Sequence, residues 1–206
     1  MKKQLLLFFV ISSHFYIFTV RFSKSYLKLE DSLKNVKSFH FSGYDKDNMH
    51  NFLQIAMSLP RELTKICLHG EFERDELIYR FINKNVNTLK ELYFYMTNIN
   101  DNYLCLLLAE QRLNLKKIHL KCCFYVSNDA IFRLCDSQRG LEELVLEECN
   151  GINDISIFAI TINLRNLKVF KTTMCNRVTN VSKLIYFFRI IYLHFSDYKS
   201  IFNLFN

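Results

Sequence analysis

Cysteine is the residue type of this chain that most invites a chemical interpretation, because its thiols could bind a metal or act as nucleophiles. The chain of 206 residues contains 7 cysteines, and Cys123, Cys149 and Cys175 are spaced 26 residues apart. A zinc site needs ligands that converge on one point. Thiols that return once per 26 residues are better explained as small, readily buried side chains at equivalent places of a repeat. We therefore predict a packing role for them.

Histidine is the second residue type that could carry chemistry. His40, His69, His119 and His194 fall on outward positions of the strands predicted below, where neighbouring imidazoles could bind a metal. Their row positions are not expected to align, and Glu or Val is expected to separate them, so no metal site is predicted. The sequence also lacks G-x-S-x-G, a P-loop, H-E-x-x-H and a Gly-rich dinucleotide loop. We predict no enzyme activity and no cofactor.

The elements that position these residues follow from an internal repeat. Segments with the apolar pattern L-x-x-L-x-L begin at Leu63, Leu89, Leu115, Leu141 and Leu167, always 26 residues apart, although Thr172 takes the last apolar position of the fifth segment. Val36, Phe39 and Phe41 fit the same three positions, and Leu63 follows 27 residues after Val36. A fixed period of this length is typical of a solenoid, in which neighbouring units bury one continuous core.

Each unit reads as a short strand followed by a returning helix. Apolar residues alternate at the end of each segment, as at Leu144 and Leu146, which predicts a strand of about five residues with one buried face. A parallel neighbouring strand requires a crossover of roughly a dozen residues, usually a helix. A short polar turn precedes each returning segment, and Ser, Asn and Asp there favour helix N-caps. The turns are Val126-Ser127-Asn128, Ile152-Asn153-Asp154 and Val178-Thr179-Asn180.

The unit from Leu141 resembles the cysteine-containing class of leucine-rich repeats. Leu141 to Cys149, followed by Ile152-Asn153-Asp154, matches the pattern L-x-x-L-x-L-x-x-C-x-x-I-T-D. This class is typical of F-box proteins that carry leucine-rich repeats and select substrates for SCF-type ubiquitin ligases. The resemblance implies an α/β leucine-rich repeat solenoid, a horseshoe arc of about six repeats. In this fold parallel strands line the concave face and helices line the convex face.

Three regions are expected along the chain. Residues 1–34 form an N-terminal apolar segment and cap, residues 35–196 the leucine-rich repeats, and residues 197–206 an apolar C-terminal tail. Lys2 and Lys3 precede the apolar run Leu5–Ile11, which is typical of a secretory signal, although no small-x-small cleavage site follows. A signal or anchor within residues 1–20 and a folded cap are both open at this stage. The tail is expected to fold over the last repeat or to dock on another protein.

Composition limits the compartment and the class of partner. Half of the residues are hydrophobic, while Gly numbers 4 and Pro 1, so a large core is expected and long disordered linkers are not. The net charge of +7 comes without a long basic run, so nucleic acid is not predicted as a partner. An odd number of cysteines argues against a disulfide framework. We expect a cytoplasmic or nuclear protein, with secretion as the alternative.

The outward strand residues form the predicted binding site. Parallel strands align such side chains about 4.8 Å apart, and tyrosines beside mixed charges suit protein recognition. The predicted concave binding face comprises Lys65, His69, Glu91, Tyr93, Tyr95, Lys117, His119, Lys121, Glu143, Glu147 and Lys171.

The resulting hypothesis is a protein–protein interaction module. It resembles the substrate-recognition part of an SCF-type receptor, although no F-box is visible in the sequence. The resemblance implies ubiquitin ligase components or their substrates as partners, and no small-molecule substrate is expected. The alternative is a secreted or membrane-attached repeat protein directed by residues 1–20. A membrane role is expected only if those residues act as an anchor.

Overall fold

The computed structural model describes two sets of residues. It describes the backbone alone for residues 4–11 and 14–21. Backbone and side chains are described for residues 37–42, 57, 62–70, 76–105, 107–108, 113–182 and 184–186. The predicted C-terminal tail and His194 lie outside the described residues.

Six parallel strands form the centre of the fold. They pair in chain order, so each unit places its strand beside that of the unit before it. The strands are β3 (Ser38–Ser42), β4 (Lys65–His69), β5 (Glu91–Tyr95), β6 (Lys117–Lys121), β7 (Glu143–Glu147) and β8 (Val169–Thr173). This arrangement confirms the α/β class, the parallel sheet and the five-residue strands.

The register of the sheet follows the repeat without a slip. Ile66 pairs with Leu92, Leu92 with Ile118, and Ile118 with Leu144. All four side chains are completely buried. A shift of one residue would turn every apolar side chain to the opposite face of its strand, so the continuous interior row holds the register in place.

Helices return the chain between strands and cover one face of the sheet. They are α1 (Glu76–Lys84), α2 (Asp101–Cys105), α3 (Asn128–Ser137) and α4 (Asp154–Asn163), and residues 180–182 and 184–186 are also helical. Ile131 and Leu134 of α3 and Ile157 of α4 join the strand leucines in one core. The molecule therefore has two layers, with strands on one side and helices on the other.

The predicted N-caps are confirmed, and polar side chains at the start of the helices also connect neighbouring units. Ser127 and Asn153 accept bonds from the backbone N–H groups two residues further on. In addition, a side-chain oxygen at the start of the helix in one unit accepts a hydrogen bond from the backbone N–H of the capping residue in the next unit. The donor and acceptor pairs are Ser127 N to Asp101 Oδ1 at 2.6 Å, Asn153 N to Asn128 Oδ1 at 3.0 Å and Thr179 N to Asp154 Oδ1 at 2.7 Å.

A left-handed backbone residue follows the strand in five successive units. Gly70 has φ 126°, and Met96, Cys122, Glu148 and Met174 have φ between 51° and 55°. Four of these five positions hold residues with a Cβ, which disfavours this conformation by about 1 kcal/mol or more. The turn is retained because, in the first four of these residues, the backbone N–H donates to the last carbonyl of the neighbouring strand.

The cysteines of the repeat lie directly after these left-handed residues. Each thiol points back toward the preceding unit and donates to a strand carbonyl there. The bonds are Cys123 Sγ to Phe94 O at 3.5 Å, Cys149 Sγ to Leu120 O at 3.4 Å and Cys175 Sγ to Leu146 O at 3.5 Å. This geometry agrees with the packing role predicted for the repeated cysteines.

Burial should protect the thiols of the native protein from reagents. All seven cysteines are buried and none of them forms a disulfide, and burial raises the pKa of Cys67 to about 11 and that of Cys135 to about 12. Since the thiolate is the reactive form, we expect a disulfide reagent such as Ellman's reagent to label the native chain at least ~100-fold more slowly than the unfolded chain. The measurement is the rate of thiol titration at neutral pH with and without denaturant.

Denaturant should release all seven thiols, which serves as the internal control. Cys122, at 8% exposure, is among the least buried of the seven, so it should be among the first to react in the native state. Immediate labelling of several thiols without denaturant would contradict the packing described here.

The N-terminal residues form an antiparallel hairpin. β1 (Gln4–Ile11) pairs with β2 (His14–Arg21), and β2 runs close to β3. This two-stranded sheet is separate from the parallel sheet. The folded-cap and signal interpretations of residues 1–34 both stay predictions. Among the described residues, no helix is long and apolar enough to cross a membrane.

Candidate functional site

The outward side chains of β3–β8 form three rows that cross the sheet. We call this surface the polar strand face. The strand pairing places every predicted binding residue in one of these rows. The first row is Ser38, Lys65, Glu91, Lys117, Glu143 and Val169; the second is His40, Cys67, Tyr93, His119, Val145 and Lys171; the third is Ser42, His69, Tyr95, Lys121, Glu147 and Thr173.

Opposite charges alternate along the first row and bind one another. Lys65 Nζ lies 3.6 Å from Glu91 Oε2, and Lys117 Nζ lies 3.9 Å from Glu91 Oε1 and 3.2 Å from Glu143 Oε2. His119 Nε2 of the second row is 2.9 Å from Glu143 Oε1. The repeat places residues of opposite charge on adjacent strands, so the side chains form one connected network.

Hydrogen bonds within the network favour the charged forms of Glu143 and Lys117. Burial raises the pKa of Glu143, but hydrogen bonds to His119 and Lys117 outweigh burial and hold that pKa below its ordinary value. The hydrogen bond to Glu143 raises the pKa of Lys117. The carboxylate and the ammonium therefore stabilise each other's charged forms.

Tyr93 lies at the centre of this network and is buried by it. Its hydroxyl donates to Glu91 Oε2 at 2.9 Å, Lys65 Nζ lies 4.2 Å from its ring centre, and the His119 ring lies 4.4 Å away. Only 6% of Tyr93 is exposed, and burial together with the Glu91 bond raises the pKa of its hydroxyl. Tyr93 therefore orients its charged neighbours and offers little surface to a partner.

The third row is also paired across strands. Lys121 Nζ lies 2.8 Å from Glu147 Oε1, and Ser42 Oγ lies 2.9 Å from His69 Nδ1. Tyr95 lies between these pairs and is partly exposed, and burial raises the pKa of its hydroxyl to about 12. The hydroxyl stays protonated at neutral pH and can donate a hydrogen bond to a partner.

The histidines of the face are spread over two rows. His40 and His119 share the second row, contrary to the sequence expectation, but Cys67 and Tyr93 lie between them. His69 occupies the third row. Burial lowers the pKa of both His40 and His69. Over the described part of the chain, no three histidine, cysteine or acidic side chains are arranged to hold a metal ion.

Sequence reasoning missed a group of exposed apolar side chains at the edge where the strands end. Phe124 is 55% exposed and Tyr125 65% exposed, in the turn that follows β6. Met96 and Met174 occupy the left-handed positions after β5 and β8 and are also exposed. The sequence does indicate that Phe124 is unusual, because the equivalent position in other units holds asparagine. These residues are Asn98, Asn150 and Asn176.

The fold and the face together define the class of protein. The chain is an α/β protein with an all-parallel six-stranded sheet and helices, an arrangement compatible with a solenoid. No protein-family model matches the chain, and no curated protein matches it.

Proposed function

We propose that this chain is a protein–protein interaction module that binds its partner on the polar strand face. In this proposal the repeats are leucine-rich repeats of the cysteine-containing class, and the strand face is the concave side of their arc. The observation that supports the proposal is the unbroken register, which aligns three rows of mostly polar side chains over six strands.

The ion pairs within the face favour binding because they hold its side chains in place. Lysine and glutamate lose considerable conformational entropy when a partner immobilises them. Lys117 and Glu143 are already held by each other before a partner arrives. A preorganised surface loses less freedom on association, so more of the contact energy appears as affinity.

Aromatic side chains at the end of the strands supply the apolar part of the proposed surface. Tyr95 lies in the third row, and Phe124 and Tyr125 follow at the adjacent edge. Tyrosine is enriched among interface residues that dominate binding energy. The mixed charges beside them would select a partner with a complementary pattern.

The family resemblance suggests the process that the module serves. We propose substrate recognition for an SCF-type ubiquitin ligase in the cytoplasm or nucleus, with ligase components or substrates as partners. The module would bind proteins rather than transform a small molecule. The alternative is a secreted or membrane-attached repeat protein. Loss of the N-terminal residues from the mature chain, measured by its mass, would favour secretion, and recovery of the intact chain with the membrane fraction would favour attachment through residues 1–20.

Charge reversal on the polar strand face should abolish partner capture. In the double variant Lys117→Glu and Lys121→Glu, two acidic side chains would face Glu143 and Glu147, so the charge pattern offered to a partner is inverted. Both lysines are partly exposed, and surface pairs of this kind contribute little to stability. We therefore expect the double variant to stay folded. The amount of each specifically captured partner, measured by quantitative mass spectrometry, should fall at least ~10-fold.

The matched control reverses two exposed arginines on the helix layer, Arg80→Glu and Arg133→Glu. It changes the net charge by the same amount but leaves the polar strand face intact. The control should capture the same partners as the unaltered chain. Equal capture by both doubles and the unaltered chain would show that the polar strand face does not bind them.

A further inference from the structure

The edge of the sheet at which β5–β8 begin carries an excess of positive charge. The four residues that precede each of these strands contain five cations and one carboxylate, Glu142. The first row of the polar strand face lies directly beside this edge and contains as many carboxylates as lysines. We call the five cations the basic rim; they are Lys90, Lys116, Arg139, Arg165 and Lys168.

The loops that carry the basic rim contact one another from unit to unit. Asn166 Nδ2 donates to Arg139 O at 2.9 Å, and Lys116 Nζ donates to Gly140 O at 3.2 Å. Neighbouring strands lie about 4.8 Å apart, so the rim spans roughly 14 Å over its four units. The five cations therefore belong to one continuous surface.

Glu142 shows how this edge holds a carboxylate. Its Oε1 lies 3.0 Å from Lys116 Nζ, and its Oε2 lies 2.6 Å from Lys168 Nζ. Hydrogen bonds to these two lysines, which come from the units on either side, lower the pKa of Glu142 to about 2. A carboxylate is thus a group that cations of neighbouring units can share.

The other cations of the basic rim have no carboxylate to bind. Among the described residues, neither Arg139 nor Arg165 forms an ion pair, and both side chains are exposed. Lys90 Nζ reaches the backbone oxygen of Asn114 at 3.5 Å. Since arginine binds carboxylates through two parallel hydrogen bonds, both arginines are available to the acidic groups of another molecule.

The residues between the cations favour an acidic protein segment over nucleic acid. Proteins that bind single-stranded nucleic acid stack its bases on aromatic side chains, and the four rim loops contain no aromatic residue. They offer instead the exposed amides of Asn87, Asn114 and Asn166, which can bond to peptide groups. An extended segment of about five residues is long enough to cross the rim.

We infer that the basic rim binds an acidic segment of a partner protein. The carboxylates of that segment bind the two arginines and Lys90, as the carboxylate of Glu142 binds Lys116 and Lys168. Complementary charge makes this contact selective for acidic sequences. The rim lies outside the three rows of the polar strand face, so the inference does not depend on what that face binds.

Reversal of the two arginines should weaken the binding of an acidic peptide. The probe is a fluorescein-labelled peptide of about six glutamates, long enough to cross the rim, and its anisotropy is measured with the full chain. In the double variant Arg139→Glu and Arg165→Glu we expect the dissociation constant to rise at least ~10-fold. Both side chains are exposed, so circular dichroism should show a folded chain. A glutamine peptide of the same length should not bind the unaltered chain.

The matched control is the double variant Arg80→Glu and Arg133→Glu, which reverses two arginines of the helix layer. At about 100 mM salt, charges more than ~10 Å away are largely screened, so the control should keep the affinity of the unaltered chain. Equal losses in the two double variants would overturn the inference, and so would an unaltered chain that does not bind the peptide at about 1 mM. Tighter binding of an oligonucleotide of about twelve thymidines, lost in the rim variant, would overturn it in favour of nucleic acid.

Discussion

Replacement of Gly151 by alanine should destabilise the protein by about 3 kcal/mol, the upper end of the usual cost of overpacking. A Cβ built on Gly151 would lie 2.2 Å from the backbone oxygen and 3.0 Å from the backbone carbon of Val126 in the preceding unit. Both contacts are with backbone, so no side-chain rotation relieves them. The expected loss in melting temperature is roughly 10 °C.

Gly140→Ala is the matched control for this substitution. A Cβ at Gly140 would meet only the ends of flexible side chains, Asn114 Oδ1 at 3.3 Å and Lys116 Nζ at 3.9 Å. We expect a change within about 0.5 kcal/mol. Equal melting temperatures for the two alanine variants would mean that neighbouring units are less closely packed at Gly151 than the structure shows.

Replacement of Asn85 by alanine should cost about 3 kcal/mol, because it leaves two buried backbone groups without a partner. The side chain of Asn85 is 1% exposed. Its Oδ1 accepts from Leu63 N at 3.1 Å, and its Nδ2 donates to Phe81 O at 3.0 Å. The amide thus ties the end of α1 to the start of the strand in the same unit. Urea denaturation would measure the loss.

Asn163 stands at the same position of a later unit and supplies the control. Its Nδ2 donates to Ala159 O at 3.0 Å, but Asn163 is only partly buried. Water can replace that bond, so Asn163→Ala should cost less than about 1 kcal/mol. Similar losses in the two variants would show that the bond to Leu63 N contributes little and that both effects come from the helix end alone.

Gln138 performs the same task in another unit. Its Oε1 accepts from Leu115 N at 3.0 Å, and its Nε2 donates to Leu108 O at 3.2 Å. Gln138 stands one position later in its unit than Asn85 does. Its longer side chain still reaches the backbone N–H of the first leucine of the unit. A side-chain amide thus satisfies the buried N–H of the first leucine in two units, whereas the N–H groups of Leu89, Leu141 and Leu167 donate to backbone carbonyls.

The sequence alone determined the architecture of the repeat. The 26-residue period, the alternating leucines and the capping residues predict parallel strands in register and helices behind them, and the structure shows both. These features could be predicted because each depends on spacing within one unit, which the chain displays directly. The placement of all predicted binding residues on one face follows from the same spacing, since alternate residues of a strand share a face.

The tertiary structure decided which of those residues are available to a partner. Tyr93 and Tyr95 look equivalent in the sequence, yet Tyr93 is enclosed by Lys65, Glu91 and His119 while Tyr95 is partly exposed. The difference depends on the side chains of the adjacent strands. The sequence of a single unit therefore does not show which of its two tyrosines is exposed.

The same reason explains the other features that became visible only in three dimensions. Gly151 is needed because Val126 of the preceding unit approaches it, and the left-handed residues are held by bonds to the following strand. The apolar side of α4 looks in sequence like a continuation of the core, and only its position behind the buried layer shows that it is exposed. Spacing within a unit sets the fold, whereas contacts between units set the surface.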